Sequence, residues 1–319
     1  MSAARLLLVA DIGGTNARFA IAERRGAGAA ILAKHVAEAE NYEGVADAAL
    51  AFLSSWKGAR PEASVFAVAA PVREDLVVFT NSPWRFSRRA VEARLASGPL
   101  RVVNDFEAMA LGAVAVGPEE SVVIKDGAPL EGAPIAVLGP GTGLGMGLVM
   151  TFAGEIHAIA TQGGHAAFAP ISDREIEVLR FLLREQEFVS NELLLSGRGL
   201  VNIHRALAAI DGAPLDALRP EEITEAALAG DNSRAREAAE MFCAILGTFA
   251  GDAALMAGAR GGVILAGGIL PKIEEILRGG PFAARFSERG PMADYMDAIP
   301  VRLLVTDEAP LIGAALLAR

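Results

Sequence analysis

The stretch Arg5-Leu6-Leu7-Leu8-Val9-Ala10-Asp11-Ile12-Gly13-Gly14-Thr15-Asn16-Ala17-Arg18-Phe19-Ala20-Ile21-Ala22 joins two apolar runs through a short polar turn. Leu6 to Ala10 reads as a buried strand and Arg18 to Ala22 as its hairpin partner. The turn holds a carboxylate, two glycines, a hydroxyl and an amide. Adjacent glycines permit positive φ and leave no side chain in the way of a ligand. Successive N–H groups in such a turn can form an anion-binding concavity, and Asp11 beside it can hold a hydrated cation near a phosphate. An ordinary hairpin turn accounts for the same residues, so both readings stand at this point.

Working outward, the chain has 319 residues, enough for about two domains, and its 52% hydrophobic content suits a globular protein with a large core. No apolar run is expected to reach the ~18 residues that span a bilayer. The N-terminus moves directly into strand pattern, which predicts a chain without a signal peptide. A single cysteine, Cys243, precludes an internal disulfide and fits a reducing, cytoplasmic compartment. The net charge of −10 argues against a nucleic-acid partner.

Further strands are expected at Ala30–His35, Val65–Ala69 and Leu76–Thr80, with a helix over Gly44–Trp56. Three strands, a helix and more strands describe an α/β fold with a mixed sheet. Asn81-Ser82-Pro83-Trp84 reads as a loop, either a surface turn with a packed Trp or a place where Asn81 borders a polar ligand. Ser87 caps a helix reaching Ala96. Leu100–Val103 is a strand ending at Asn104-Asp105, where a helix begins. Asp105 there is either a helix cap or a functional carboxylate at the carboxyl end of a strand, where α/β sheets bind ligands.

A second glycine turn follows the strand Pro134–Leu138: Gly139-Pro140-Gly141-Thr142-Gly143-Leu144-Gly145-Met146-Gly147. Leu144–Thr151 reads as a strand, so the helix-opening dinucleotide fingerprint does not apply, and no Gly-Lys-Ser/Thr is present. The order strand, Gly/Thr turn, strand repeats the opening device about half a chain later. Glu155–Ala160 is a strand, and Thr161-Gln162-Gly163-Gly164-His165 opens a loop running to Pro170. The four His residues show no metal-pair spacing. His165 is either a structural loop residue or a ligand group, and Glu192 either a helix-dipole partner or a ligand group. Helices are expected at Asp173–Glu185, Gly197–Ile210, Pro220–Ala229 and Arg234–Ala257. Gly261–Ile269 reads as a strand flanked by paired glycines, with Pro271 opening a helix. Val301–Val305 is the last strand and Ala309–Ala318 the last helix. The domain boundary is expected in the helix after Asp105.

In order along the chain, these segments resemble the bacterial glucokinase family of the hexokinase, sugar kinase and actin superfamily. The resemblance rests on Asp11 to Arg18, Thr80 to Trp84, Asn104-Asp105-Phe106, Leu138 to Gly145, Gly163-Gly164-His165 with Phe168-Ala169-Pro170, and Leu195-Ser196-Gly197 with Gly199-Leu200. Gly267-Gly268-Ile269 and Pro310-Leu311-Ile312-Gly313 complete it. It implies two actin-like (ribonuclease H-like) α/β domains with mixed sheets around a central cleft, a small one from 1–108 plus 305–319 and a large one from 109–304. It implies ATP-dependent phosphorylation of the glucose 6-hydroxyl, feeding glycolysis, with Mg²⁺ and commonly a homodimer. By resemblance, Asp105 is the catalytic base. Asn81, Asn104, Gln162, His165 and Glu192 face the sugar together with Asp105. Ala10, Asp11, Ile12, Gly13, Gly14, Thr15 and Asn16 form the first phosphate loop, and Gly141, Thr142 and Gly143 the second. Asp11 lies near Mg²⁺, and Gly267 and Gly268 lie on the adenosine side.

Two positions depart from the family pattern. Gln162 stands where a Glu is usual, and Ala167 replaces an Asp before Phe-Ala-Pro. Gln keeps one acceptor and adds two donors, so the change bears on sugar preference more than on phosphoryl transfer. A kinase for another hexose or amino sugar, a non-catalytic sugar sensor and an actin-like ATPase are the rival readings. Asp105 disfavours the sensor, and the sugar-type residues Asn104, His165 and Glu192 disfavour the assembly ATPase.

Overall fold

The computed structural model describes residues 4–70, 75–79, 84–230 and 232–318. The chain runs β1 (Arg5–Ile12), β2 (Asn16–Arg25), β3 (Gly28–Glu38), α1 (Val45–Ser55), β4 (Ala63–Val68), β5 (Leu76–Val78), β6 (Arg85–Ser87), α2 (Arg88–Leu95), β7 (Leu100–Asn104) and α3 (Asp105–Ala115). It continues through β8 (Ser121–Lys125), β9 (Ile135–Pro140), β10 (Leu144–Phe152), β11 (Glu155–Thr161), α4 (Asp173–Leu182), α5 (Gly197–Ile210), α6 (Pro220–Ala229) and α7 (Ser233–Ala257). The last elements are β12 (Gly262–Leu265), α8 (Glu274–Gly279), α9 (Phe282–Ser287), α10 (Ala293–Asp297), β13 (Val301–Leu304) and α11 (Ala309–Leu316). Two compact units result: Met1–Pro118 with Gly154–Ala160 and Thr306–Arg319, and Glu119–Ala153 with Thr161–Val305.

The first unit is built on a mixed sheet of order β3-β2-β1-β4-β7. β1 pairs antiparallel with β2 and parallel with β4, and β4 pairs parallel with β7. Both faces of this sheet are covered, which explains the unbroken apolar run Leu6–Ala10. Leu8, Ala10 and Ile12 pack with Phe19, Phe52 and Phe66 on one face, while Leu7 and Val9 pack with Val65, Val103, Leu311 and Ala314 on the other. Phe19 and Phe66 meet edge to face with ring centroids 6.0 Å apart, and each fully buried ring contributes roughly 1.5–3 kcal/mol.

The C-terminal helix α11 belongs to this face, against α3. A Cβ at Gly112 would strike the Ala309 carbonyl, and one at Gly313 would strike the Ala108 carbonyl. Only glycine at both places lets the two backbones lie this close. The expected division at 108/109 falls inside α3, whereas the units separate after Pro118 and Val305, because α3 is locked to α11 along its length. The expected strand Leu76–Thr80 ends by Val78 among the described residues and pairs with β6 in a separate two-stranded sheet.

The second unit is built on a sheet in which its strands run in the order β10-β9-β12-β13-β8. β9, β12 and β13 are parallel, with antiparallel β10 on one side and β8 on the other. The core places α7 among α5, α6, α9 and the sheet. This helix corrects one expectation: by length and composition α7 is apolar enough to cross a membrane, and 78% of that window is buried inside the protein. Its apolar surface is core surface. Between Gly261 and Ile269 the strand is only Gly262–Leu265, and Pro271 sits in a short 3₁₀ turn before α8 rather than opening an α-helix.

One buried ion pair ties the core to the loop before α4. Glu175 is 2% exposed and accepts from Arg285 Nη1 at 2.7 Å and Nη2 at 3.1 Å. The same carboxylate accepts from the Ile171 amide at 2.8 Å, and Arg285 also donates to Thr248 Oγ1. Burial pushes the carboxyl up, but the Arg285 hydrogen bonds and the Ile171 amide outweigh it and hold Glu175 below its usual range.

Candidate active site

In the first unit, Ala10, Asp11 and Ile12 end β1, and Gly13, Gly14 and Thr15 make the turn into β2. The Gly13 amide donates to the Asn16 carbonyl at 3.0 Å, and the Thr15 carbonyl accepts from Ala39 N–H at 2.8 Å. The Gly14 and Thr15 amides have no acceptor among the described residues, so the turn presents two unused donors. One part of the expectation fails: Gly13 and Gly14 do not take positive φ. Their use lies in the bare backbone rather than in the left-handed region. Ala10 and Ile12 are fully buried, so they frame the turn through their backbone.

Asp11 lies opposite Arg18 in the β1–β2 register, and the Arg18 guanidinium sits 3.5 Å from its carboxylate. Burial raises the Asp11 carboxyl above its ordinary range, and Arg18 pulls it partly back. Asn104 and Asp105 occupy the junction of β7 and α3. Parallel pairing aligns Ile12 with Val68 and Val68 with Asn104, so both carboxylates stand at the carboxyl ends of strands one strand apart. At the usual strand spacing this puts their backbones about 10 Å from each other.

The cap of α3 is Asn104, not Asp105. Asn104 Oδ1 accepts from the Phe106 amide at 2.9 Å and from Glu107 at 3.4 Å. Its side-chain N–H₂ remains as the group to meet a ligand. Asp105 is the first helical residue and accepts from the Phe106 amide at 2.9 Å. Burial, and then the nearby Asp11 charge, push the Asp105 carboxyl up to about 6, against the lowering pull of the Phe106 amide and its own. A carboxylate poised this near neutrality suits general-base work.

In the second unit, Gly141-Thr142-Gly143 joins β9 to antiparallel β10, with Leu144 opposite Pro140. Gly141 N–H donates to the Gly143 carbonyl at 2.8 Å, while the Thr142 and Gly143 amides have no acceptor among the described residues. The two turns thus share a construction: antiparallel strands, a glycine turn and two open amides. Gly267 follows β12 beside β9 at φ 96°, where a Cβ would strike the Pro140 carbonyl. Gly268 next to it opens on free space. A flat ring can therefore approach the backbone beside this turn.

Gln162, Gly163, Gly164 and His165 lie close over β10: a Cβ at Gly164 would strike the Leu144 carbonyl and one at Gly163 the Met146 sulfur. His165 Nδ1 stands 3.9 Å from Glu192 Oε1. Gln162 is exposed; its carbonyl accepts from the His165 amide at 3.0 Å, and its side chain makes no hydrogen bond among the described residues. Ala167 pairs with Ser190 in an isolated bridge. The second turn, Gln162, His165, Glu192, Gly267 and Gly268 thus sit in one unit, and the first turn, Asn104 and Asp105 in the other. Asn81 lies outside the described residues.

The sequence reading assigns no role to two side chains of this site and only one of two contacts to a third. Arg18 has no role in the sequence reading, although its alternation with Phe19 places it on the opposite face of β2 from that ring. Asn191 donates to the Ala166 carbonyl at 3.1 Å and the Ala167 carbonyl at 3.3 Å. Glu192 was expected as a sugar contact, but its Oε2 also accepts the Leu144 amide at 2.8 Å. No local signal announces a contact across that separation. For a metal ion, no group of three or more His, Cys, Asp or Glu side chains converges among the described residues. Mg²⁺ commonly keeps several waters and binds through one or two carboxylates plus substrate phosphates, so Asp11 beside open amides is a compatible donor set.

The pattern of the Glucokinase family matches residues 8–319. A glucokinase of Paramagnetospirillum magneticum is 42% identical over 313 residues, covering 98% of this chain and 97% of its own length. One from Caulobacter sp. is 41% identical over 311 residues, covering 97% and 93%. The crystal structure of a glucokinase from an Antarctic psychrotroph superposes with a TM-score of 0.87 at 36% identity, covering 98% of each chain.

Proposed function

The chain belongs to the glucokinase family and is a hexose kinase that acts on glucose, and on that premise we propose that Asp105 is the base that activates the 6-hydroxyl toward the terminal phosphate of ATP. The observation that carries the assignment is the environment of Asp105: half-buried at the end of β7, first in α3, with its carboxyl raised to about 6. A carboxylate in that state is ionised at neutral pH and still basic enough to take a proton as the new O–P bond forms. Asn104 offers its side-chain N–H₂ beside it, and Gln162, His165 and Glu192 hold the remaining sugar hydroxyls.

The turns Gly13–Thr15 and Gly141–Gly143 hold the phosphates through their open amides, which point fixed dipoles at developing charge. Gly267 and Gly268 give the adenosine a bare backbone to lie on. Asp11, balanced by Arg18, is the carboxylate that would hold Mg²⁺, which when bound neutralises charge on the transferred group. The glycines of both turns, two in each, leave bare backbone on which the phosphates approach the amides closely. Each unit serves as one actin-like domain, the reading supported by its mixed sheet. The family supports a homodimer acting in the cytoplasm; sedimentation of the purified protein and fractionation of the cells test these two points.

The decisive experiment is Asp105→Asn, assayed for glucose phosphorylation and for thermal stability. Loss of a general base predicts a fall of about 10²–10⁴-fold in kcat. Stability moves the other way. The folded state binds the Asp105 proton more tightly than the unfolded chain, so ionisation between 3.8 and about 6 destabilises the fold. Removing that charge raises stability at pH 7 by up to roughly 2–3 kcal/mol. Near-normal turnover in Asp105→Asn would end the base assignment.

A further inference from the structure

The segment 189–197 touches both loops of the second unit that meet ligand. Toward the sugar side, the Phe168 amide donates to the Val189 carbonyl at 2.9 Å, the Asn191 amide donates to Ala166 at 2.9 Å, and the Asn191 side chain reaches Ala166 and Ala167. Toward the nucleotide side, the Gly197 amide donates to the Gly141 carbonyl at 2.9 Å, and Glu192 Oε2 accepts the Leu144 amide at 2.8 Å. Ser196 Oγ donates to the Glu192 carbonyl at 2.8 Å and accepts from Gly199, which fixes the backbone between them. The Glu192 side chain has an atom on each side. Its Oε2 is tied to the end of the glycine turn, and its Oε1 faces His165 at 3.9 Å. Gly143 has no room for a Cβ because that same carboxylate fills the space.

We propose that Glu192 is a positioning residue for the nucleotide turn as well as a sugar contact, so that hexose and nucleotide bind cooperatively through this one side chain. The inference rests on the reading of Glu192 and His165 as the sugar side of the site. The carboxylate is one-third exposed, and among the described residues its only hydrogen bond is through Oε2. A hexose hydroxyl donating to Oε1 fixes the carboxylate at both ends. The Leu144 amide then has a fixed acceptor, and the turn reaches its phosphate-holding conformation before nucleotide arrives. The ordering cost that nucleotide would otherwise bear is already met. Coupling of this kind is reciprocal, so nucleotide tightens hexose by the same factor.

Calorimetry on the full-length protein tests it, with a non-hydrolysable ATP analogue and Mg²⁺ titrated in the absence and presence of saturating glucose. In the wild type, glucose is expected to lower the nucleotide Kd by roughly fivefold or more. Glu192→Gln has one acceptor for two donors, and the ratio is expected to fall below about twofold, while each ligand alone still binds. Asn191→Ala frees the sugar-side loop without touching either ligand contact and is expected to lower the ratio as well. It carries the test if Glu192→Gln loses glucose binding altogether. Gln162→Glu changes the glucose Kd and leaves the ratio as in the wild type. A wild-type ratio of one, or an unchanged ratio in Glu192→Gln or Asn191→Ala, would overturn the coupling role while glucose binding itself stands. A wild type that binds no glucose would overturn the sugar-site reading and this inference with it.

Discussion

The turn at Gly13–Thr15 and the turn at Gly141–Gly143 each join antiparallel strands and each leave two amides unused, yet they are held by different means. The first is closed by Gly13 and Asn16 and touched from outside only by backbone, the Ala39 amide on the Thr15 carbonyl, among the described residues; its neighbouring charge is a cross-strand pair, Asp11 with Arg18. The second is braced from outside by residues about 50 positions later, through Glu192 and Gly197. A self-contained turn keeps its shape when distant residues change. A braced turn transmits changes, so the second is the one whose geometry depends on the rest of its unit.

The largest effect on this contrast comes from removing the support of the braced side. Glu175→Gln leaves Arg285 buried opposite a neutral amide and weakens the hold on the Ile171 amide. Breaking a buried pair costs about 3–5 kcal/mol, so the melting temperature falls sharply, with hydrogen exchange accelerating first in α4, α9 and the loop before α4. Exchange that rises equally in β1 and β2 would remove the idea that the second unit carries the dependence.

Gly143→Ala comes next. Its Cβ would displace the Glu192 carboxylate, and a displacement of that size can cost roughly 10²-fold in kcat/KM for ATP. Gly141→Ala opens on free space and leaves stability unchanged, so the pair of variants separates bracing from simple crowding in the turn. Steady-state kinetics with thermal melts check both.

Gln162→Glu is smaller. A charged acceptor in place of a neutral one strengthens a sugar hydrogen bond by about 1 kcal/mol, which lowers the glucose KM by roughly fivefold to tenfold. Because the Gln162 side chain has no partner among the described residues to lose, the fold is unaffected. An unchanged KM would mean that the side chain does not meet the sugar.

The smallest effect tests the self-contained side. Turnover requires ionised Asp105, so kcat/KM falls as pH drops through about 6, and burial rather than Asp11 is the larger cause. Asp11→Asn removes the lesser contribution. The acid limb of the residual activity then moves down by less than about one pH unit. A limb that moves up, or stays fixed, would detach the two carboxylates from each other.

Much of this was legible in the sequence because it is local. Leu6–Ala10 and Arg18–Ala22 announce a hairpin by composition, Gly197–Ile210 and Pro220–Ala229 announce helices by periodicity, and the observed elements begin and end within a few residues of those limits. The short helices α9 and α10 were not seen, since five or six residues hold too little periodicity to register. At Asn104-Asp105 the residue types were legible and their division of labour was not. Either side chain can cap, and only the backbone geometry decides that Asn104 does so and leaves Asp105 to chemistry. The brace on the second turn was invisible for a further reason: a carboxylate meeting an amide 48 residues away leaves no spacing rule in the chain. Asn81, the remaining expected sugar contact, falls outside the described residues.

The close glycine contact of α11 with α3 also sets an order of events during synthesis. The helix that begins at Asp105 leaves the ribosome well before its packing partner, which begins only at Ala309. At about 5–20 residues per second, the intervening chain takes roughly 10–40 s to emerge. Through that interval the surface of α3 around Gly112 and the β1 face at Leu7 and Val9 wait for Leu311 and Ala314. The nascent unit that carries the base is therefore finished only after the unit that carries the brace has been made.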